Sequence, residues 1–408
     1  MMRPFHSTIS ITEARAIVDA ATVPLERTEL VPLQSAGGRV LAELIVASAD
    51  VPPFSRAAMD GYAVRAADTA GATAESARTL HCIEQVFTGQ MPREAIGPGQ
   101  CAEVATGAPM PHGADAVVMV EQSRRDDSQS PVGSAVHILA AAREGQNIGR
   151  QGADIRLGQH VLQPGTVLNA SRVGALAALG RSTVQVYARP TVAVLSTGNE
   201  IVDPGQPLQP GQIYDINSFT LSTLIAEHGG VPVTYRTAVD TIEDLSRAVD
   251  GCLAQDVLVF SGGSSVGERD LILDVFRAKG EVLFHGIAVK PGKPTAFGRI
   301  GNRIAFGMPG YPTSCLSNAY ILLVPVLRRM ARLPAQLPRT VSLPLAARVT
   351  SVPGRHQFYS VNVADGRATP VFKSSGDITS MSQADGYIEI EAETQTLEAG
   401  TRVDVRLF

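Results

Sequence analysis

Apolar and polar positions follow three different rhythms along this chain. Near the start, Ser10-Ile11-Thr12-Glu13 leads into Ala14, Ile17 and Val18. A serine with a glutamate three residues on, then apolar residues at helical spacing, predicts a capped helix. A second apolar segment, 38–47, ends at the proline break Val51-Pro52-Pro53. From there to about Gln151 the rhythm shortens. The runs 81–87, 116–120 and 135–139 are short and β-like, separated by Gly/Pro turns, which predicts a β-rich domain with 123–134 as a hairpin tip or exposed loop. The stretch 171–180 reads as another capped helix. Packing it against the N-terminal helix would make the β-rich region an insertion in a discontinuous domain.

From Arg189 the pattern becomes strand–helix alternation. Apolar runs at 191–195, 231–235, 256–260 and 303–306 alternate with helical patterns at 218–228, from 241, at 270–279 and after Pro312. That alternation predicts a parallel α/β domain. After Pro334 short alternating runs return at 341–345, 357–363, 386–390 and 402–407. The expected fold is multidomain α/β plus β. A helical/mixed N-terminal domain (1–50 plus 152–188) carries the β-rich inserted domain (51–151), followed by the central parallel α/β domain (189–333) and a small β-barrel-like C-terminal domain (334–408).

Composition narrows the function. With 408 residues and a net charge of −4, the chain is an ordinary globular protein with no basic excess for nucleic acid. Cys82, Cys101, Cys252 and Cys315 are scattered without a Cys-x-x-Cys pair, which argues against a zinc site or disulfide framework and points to a reducing cytoplasm. The N-terminus has no apolar signal core, and the apolar run 319–330 is too short to span a bilayer and contains Pro325.

The chemistry sits in loops that follow the predicted strands. Gly286-Ile287-Ala288-Val289-Lys290-Pro291-Gly292-Lys293-Pro294 offers two cations on a proline-stiffened, glycine-opened turn, suited to a dianion. Ser261-Gly262-Gly263-Ser264-Ser265 could cradle phosphate with backbone N–H groups, although it matches neither the Walker nor the dinucleotide fingerprint. Gly310-Tyr311-Pro312 opens a helix whose free N–H groups favour an anion. Glu200, Asp240 and Asp270 follow strand ends and could hold Mg²⁺ through oxygen ligands. Taken singly, the same residues serve equally as caps and turns. In open α/β sheets, ligands bind beyond the carboxyl ends of the strands, so these loops should share one edge.

The ordered set of motifs resembles the molybdopterin molybdenumtransferases, the MoeA family that includes the gephyrin E domain. It comprises Pro52-Pro53-Phe54-Ser55-Arg56-Ala57-Ala58-Met59-Asp60-Gly61-Tyr62, Ala105-Thr106-Gly107-Ala108-Pro109, Gly152-Ala153-Asp154-Ile155, Ser196-Thr197-Gly198-Asn199-Glu200, Ile213-Tyr214-Asp215 with Asn217, Gly262-Gly263 through Asp270, and Lys290-Pro291-Gly292-Lys293-Pro294. The resemblance implies a homodimer whose shared cleft joins the β-rich insertion of one subunit to the α/β domain of the other. It implies Mg²⁺-dependent insertion of molybdate into adenylated molybdopterin with release of AMP, downstream of a molybdopterin adenylyltransferase. By motif position, Glu200, Asp240 and Asp270 serve Mg²⁺, while Asp60, Thr106 and Asp154 line the pterin side. Gly262, Gly263, Ser264, Lys290, Lys293, Pro309, Pro312, Arg355 and Ser375 bind the anionic ligand. The chain departs from the family pattern at Tyr311, Ser360 and Ser374, changes expected to cluster at the ligand entrance. Two competing functions are adenylyl transfer to molybdopterin and a non-catalytic carrier or peptide-binding scaffold.

Overall fold

The computed structural model describes residues 8–125, 130–198, 200–237, 242–262, 271–337 and 339–408. The first element is helix α1 (Ile11–Ala21), and its N-cap Ser10 accepts the backbone N–H of Glu13. Contacts divide the chain into two compact units. One is built from Val31–Gly37 and Glu43–Val184, the other from the segment ending at Leu30, Gly38–Ala42 and Gln185–Phe408.

The first unit is organised by a six-stranded sheet. Its strands are β1 (Gly61–Val64), β2 (Arg78–Val86), β3 (Gln100–Val104), β4 (Ala116–Met119), β5 (Ser123–Arg125) and β6 (Ala135–Ile138), in the order β4-β1-β3-β2-β6-β5. Tyr62 and Val64 share one apolar cluster with Val118, while Ala63 and Val117 belong to another, as the two-residue period of a strand requires. β5 and β6 pair as an antiparallel hairpin. Helix α2 (Ala170–Ala178) follows, capped by Asn169.

The second unit holds the α/β domain. Strands β7 (Thr191–Thr197), β8 (Val231–Thr237), β9 (Val257–Ser261), β10 (Gly280–His285), β12 (Ala296–Ile300) and β13 (Arg303–Met308) form a sheet, with a short strand β11 (Val289–Lys290) between β10 and β12 in sequence. The sheet order is β8-β7-β9-β13-β12-β10. Helices α3 (Asn217–Glu227), α4 (Ile242–Cys252), α5 (Leu271–Lys279), α6 (Pro312–Asn318) and α7 (Val324–Met330) cover it. Val192 and Val194 pack with α1, α3, α6 and α7, whereas Ala193 and Leu195 pack with α4 and α5, so the sheet is buried on both faces. That double burial is why its strands read as continuous apolar runs.

Two expectations are corrected here. The sheet is mixed. Strands β8, β7, β9 and β13 run parallel, but β12 pairs antiparallel with both β13 and β10. A tight turn at Gly301 joins β12 to β13, and so short a connection permits only antiparallel pairing. The buried face of α1 (Ile11, Ala14, Val18, Ala21) lies in the α/β core cluster instead of pairing with α2.

Beyond α7 lie β14 (Arg339–Pro344), β15 (His356–Ala364), β16 (Arg367–Pro370), β17 (Gly386–Ile390) and β18 (Arg402–Leu407). With β11 they pair in the order β11-β15-β17-β18-β14, and β16 joins β15. Among the described residues this path is open, where the sequence reading expects a barrel-like unit. Its edge is the two-residue β11, which belongs to the Lys290 loop and pairs parallel with β15.

Candidate functional site

The register fixes which strand ends meet. Ser196 pairs with Ser261, Ser261 with Met308, Gly307 with Ala296, and Ala296 with His285. Because β10 is antiparallel to β12, its carboxyl end falls on the same edge as those of β7, β9 and β13. The loops after these four strands carry Glu200, Gly262, Lys290–Lys293 and Pro309–Pro312. The expected common edge is therefore present for the described residues.

The lysine loop is held from three sides. Val289 and Lys290 pair with His356 and Gln357 of β15, and Arg355 immediately precedes that strand. Lys293 O accepts the N–H groups of Ile287 and Thr295, each at 2.9 Å. The buried Asn318 of α6 donates Nδ2–H to Gly292 O at 2.8 Å and to Thr295 Oγ1 at 2.5 Å. Gly292 has φ 101°, and a Cβ there would run into the Asn318 amide. Lys290 and Lys293 are both partly exposed, so their ammonium groups can reach solvent.

Beside this loop, β9 ends at the buried Ser261, and Gly262 follows with φ 100°. A Cβ on Gly262 would lie 2.6 Å from Thr197 O, so only glycine fits. Gly198, after β7, has φ 138°, and a Cβ there would lie 2.5 Å from Glu200 Oε2. The Glu200 carboxylate therefore folds back over Gly198, while its own backbone is tied by Ile213 N–H at 2.8 Å. Pro309 is buried, and Pro312 begins α6 with Tyr311 as its N-cap residue. Ser375 O accepts the Thr313 N–H at 3.2 Å, which docks 374–377 on the start of α6. Tyr311, 68 % exposed, lies over this segment, with its Cδ1 3.9 Å from the Cβ position of Gly376.

Ser360 does not belong to that entrance. It is 3 % exposed, and its hydroxyl faces Met381 Sδ at 3.3 Å, because the alternation of β15 turns it inward. Cys315, read as core, is fully buried, and burial pushes its thiol up to about 12.

In the other unit, Asp60 and Thr106 meet directly. Asp60 Oδ1 accepts the Thr106 N–H at 2.7 Å. That N–H, and then the Thr106 hydroxyl, hold the Asp60 carboxyl below the usual carboxylate range. Both residues are exposed. Asp154 is exposed too and sits on a different strand pairing, where its N–H bonds Val51 O at 3.0 Å.

Asp240, Gly263, Ser264 and Asp270 lie outside the described residues. Glu200 is thus the one described member of the expected magnesium set. A carboxylate is the hard oxygen donor that Mg²⁺ requires. Among the described residues, no group of three His, Cys, Asp or Glu could hold a metal ion. One residue at the edge escaped sequence reasoning beyond its membership of a motif. Asn217, at the start of α3, donates Nδ2–H to Ser261 Oγ at 2.7 Å and to Gly310 O at 2.8 Å.

Lysines, glycine turns and a carboxylate at one sheet edge place the chain among the open α/β proteins, whose ligands bind beyond the carboxyl ends of the strands. Comparison with known proteins is more specific. The chain matches the MoeA N-terminal region (domain I and II) over 9–180. It matches the "Probable molybdopterin binding domain" over 193–329 and the MoeA C-terminal region (domain IV) over 342–408. It is 34 % identical to molybdopterin molybdenumtransferase 2 of Mycobacterium tuberculosis, over 92 % of this chain and 94 % of that protein. It is 33 % identical to the molybdopterin molybdenumtransferase of Haemophilus influenzae, over 94 % of each. The crystal structure of a molybdopterin biosynthesis MoeA protein from Pyrococcus horikosii superposes with a TM-score of 0.82 at 39 % identity, covering 98 % of this chain and 99 % of that one. The chain belongs to the molybdopterin molybdenumtransferase family.

Proposed function

We propose that this protein acts in molybdenum cofactor biosynthesis, inserting molybdate into adenylated molybdopterin and releasing AMP. The observation that carries the reading is the convergence of the Lys290–Lys293 loop, the Ser261–Gly262 turn and the Glu200 turn on one sheet edge, in a chain aligned almost end to end with molybdenumtransferases. Cleaving a phosphoanhydride demands charge neutralisation and positioning more than a strong nucleophile. Lys290 and Lys293 hold the oxyanion or phosphate in this reading, with Arg355 beside them. The backbone N–H groups of the Gly262, Gly310–Tyr311 and Ser375 segments orient it, with Pro309 and Pro312 stiffening the turn between them. Glu200, with Asp240 and Asp270, would hold Mg²⁺, which supplies charge neutralisation at the phosphates. Asp60, ionised through its bonds to Thr106, takes N–H donors of the pterin, with Thr106 and Asp154 alongside.

The working form in this reading is a cytoplasmic homodimer with its active site at the subunit interface, supplied by a molybdopterin adenylyltransferase. The adenylyl-transfer and scaffold readings are not favoured, because the relatives matched over nearly their whole length are molybdenumtransferases. The test is turnover of Glu200→Gln and Lys290→Ala, compared with wild type, using adenylated molybdopterin and molybdate. Loss of AMP release in both, with the fold retained, supports the assignment. Wild-type rates in both would remove it.

A further inference from the structure

Asn217 and its neighbour Ser218 together join three strand ends that the proposed chemistry needs at fixed spacing. Its two N–H groups are both used: one reaches the Ser261 hydroxyl at the end of β9, the other the Gly310 carbonyl just after β13. Next to it, Ser218 bonds Ser196 of β7 through their hydroxyls at 2.5 Å. Asp215 Oδ1 accepts the Ser218 N–H at 3.0 Å, which fixes the start of α3. A Cβ on Gly310 would stand 3.6 Å from Gly262 Cα, so the two glycine turns that Asn217 links are in direct contact.

The remaining acceptor is the informative atom. Asn217 is 8 % exposed, and its Oδ1 is buried with no hydrogen-bond partner among the described residues. The amide is therefore oriented by the Gly310 carbonyl, which can only accept and so requires the N–H side. Leaving a buried acceptor unmatched costs about 1–3 kcal/mol. A side chain chosen only for stability would not leave that acceptor bare, since polar groups in such places are nearly always paired.

We infer that Asn217 is a positioning residue: it sets the distance between the Ser261–Gly262 turn and the Gly310–Pro312 turn so that both present their N–H groups to one anionic ligand. This rests on the proposed function and deepens it. Asn217 touches no reacting atom and acts through Ser261 and Gly310. Misplacement of a binding turn by about 1 Å is enough to cost on the order of 10²-fold in rate.

The test uses the full chain with Asn217→Asp, Asn217→Ala, Ser261→Ala and the Asn217→Ala/Ser261→Ala double variant. Asn217→Asp keeps the shape, and the Ser261 hydroxyl can reverse to donate, but a carboxylate oxygen then faces the Gly310 carbonyl. AMP release per folded molecule is read as kcat and KM separately, together with affinity for inorganic pyrophosphate and thermal midpoint. The expected result is a kcat about 10²-fold lower in Asn217→Asp and Asn217→Ala, with a much smaller change in thermal midpoint. The double variant should be no worse than Asn217→Ala, because Ser261 acts through the same clamp. Wild-type kcat in a folded Asn217→Asp would overturn the inference while leaving the proposed function standing. So would strictly additive losses in the double variant. If wild type binds pyrophosphate but releases no AMP, the proposed function fails alone. The clamp then stands on a roughly tenfold weaker pyrophosphate affinity in Asn217→Asp and falls on an unchanged one. A wild type that neither turns over nor binds pyrophosphate overturns both.

Discussion

Replacing Gly292 by alanine separates two costs that the lysine loop combines. The residue has φ 101°, a backbone region that costs an L-residue about 1–2 kcal/mol. The new methyl would also strike the Asn318 amide, whose bonds to Gly292 O and Thr295 Oγ1 hold the loop against α6. Losing one or two of those bonds adds about 1 kcal/mol each, for a total of roughly 2–4 kcal/mol. Gly301 is the control. It has φ 56°, in the turn between β12 and β13, and nothing lies within 4 Å of its Cβ position. Gly301→Ala should therefore cost only the backbone strain, about 1–2 kcal/mol. The chain has no tryptophan, so hydrogen exchange is the natural assay. The Ile287 and Thr295 amides, which both bond Lys293 O, report the loop directly. Exchange at those two amides should rise about tenfold or more in Gly292→Ala and stay near wild type in Gly301→Ala. Equal effects from both variants would refute the idea that Asn318 braces the loop.

Three further outcomes follow from the same geometry. Lys290→Ala should weaken inorganic pyrophosphate binding by up to about tenfold at low salt, with the difference from wild type narrowing as ionic strength rises; isothermal titration at several salt concentrations checks it. Burial, and then the nearby Arg328 and Arg277, lower the pKa values of His228 and His285 respectively. A histidine with a depressed folded pKa contributes stability that is present above its unfolded pKa of about 6.5 and is lost as pH falls through the folded value. The urea midpoint should thus drop below about pH 6.5, and a double His→Gln variant should flatten that slope. Asp256→Ala should destabilise the α/β domain by about 1–3 kcal/mol. It would strip partners from Arg27 Nη1, bonded at 2.7 Å, and from the Thr191 N–H, bonded at 2.8 Å, and thermal unfolding followed by circular dichroism reads the loss.

What the sequence made legible depended on whether the signal was local. The buried strands at 191–197, 257–261 and 303–308 are continuous apolar runs because both faces are covered, and Ser10 with Glu13 marks the start of α1 through one short-range bond. Strand direction is not a local property. The apolar pattern of Ala296–Ile300 is the same whichever way it runs, so the antiparallel hairpin into β13 had no periodic signature; only the short Gly301 turn could have signalled it. Long-range partners were likewise hidden. Nothing in Val289–Lys290 announces an edge strand pairing with β15, and nothing in Ile11–Ala21 tells whether its apolar face meets α2 or the α/β core. Asn217 was visible as a motif residue, but its role depends on Ser261 and Gly310, 44 and 93 residues away. The motif places Ser360 with the changes at the ligand entrance, whereas in β15 it is interior.

The central claim is tested most directly by AMP release from adenylated molybdopterin with the purified protein, with and without molybdate and Mg²⁺. The account predicts release that requires both and that falls when Glu200 or Lys290 is neutralised. Tight ligand binding with no AMP release under any of these conditions would contradict it.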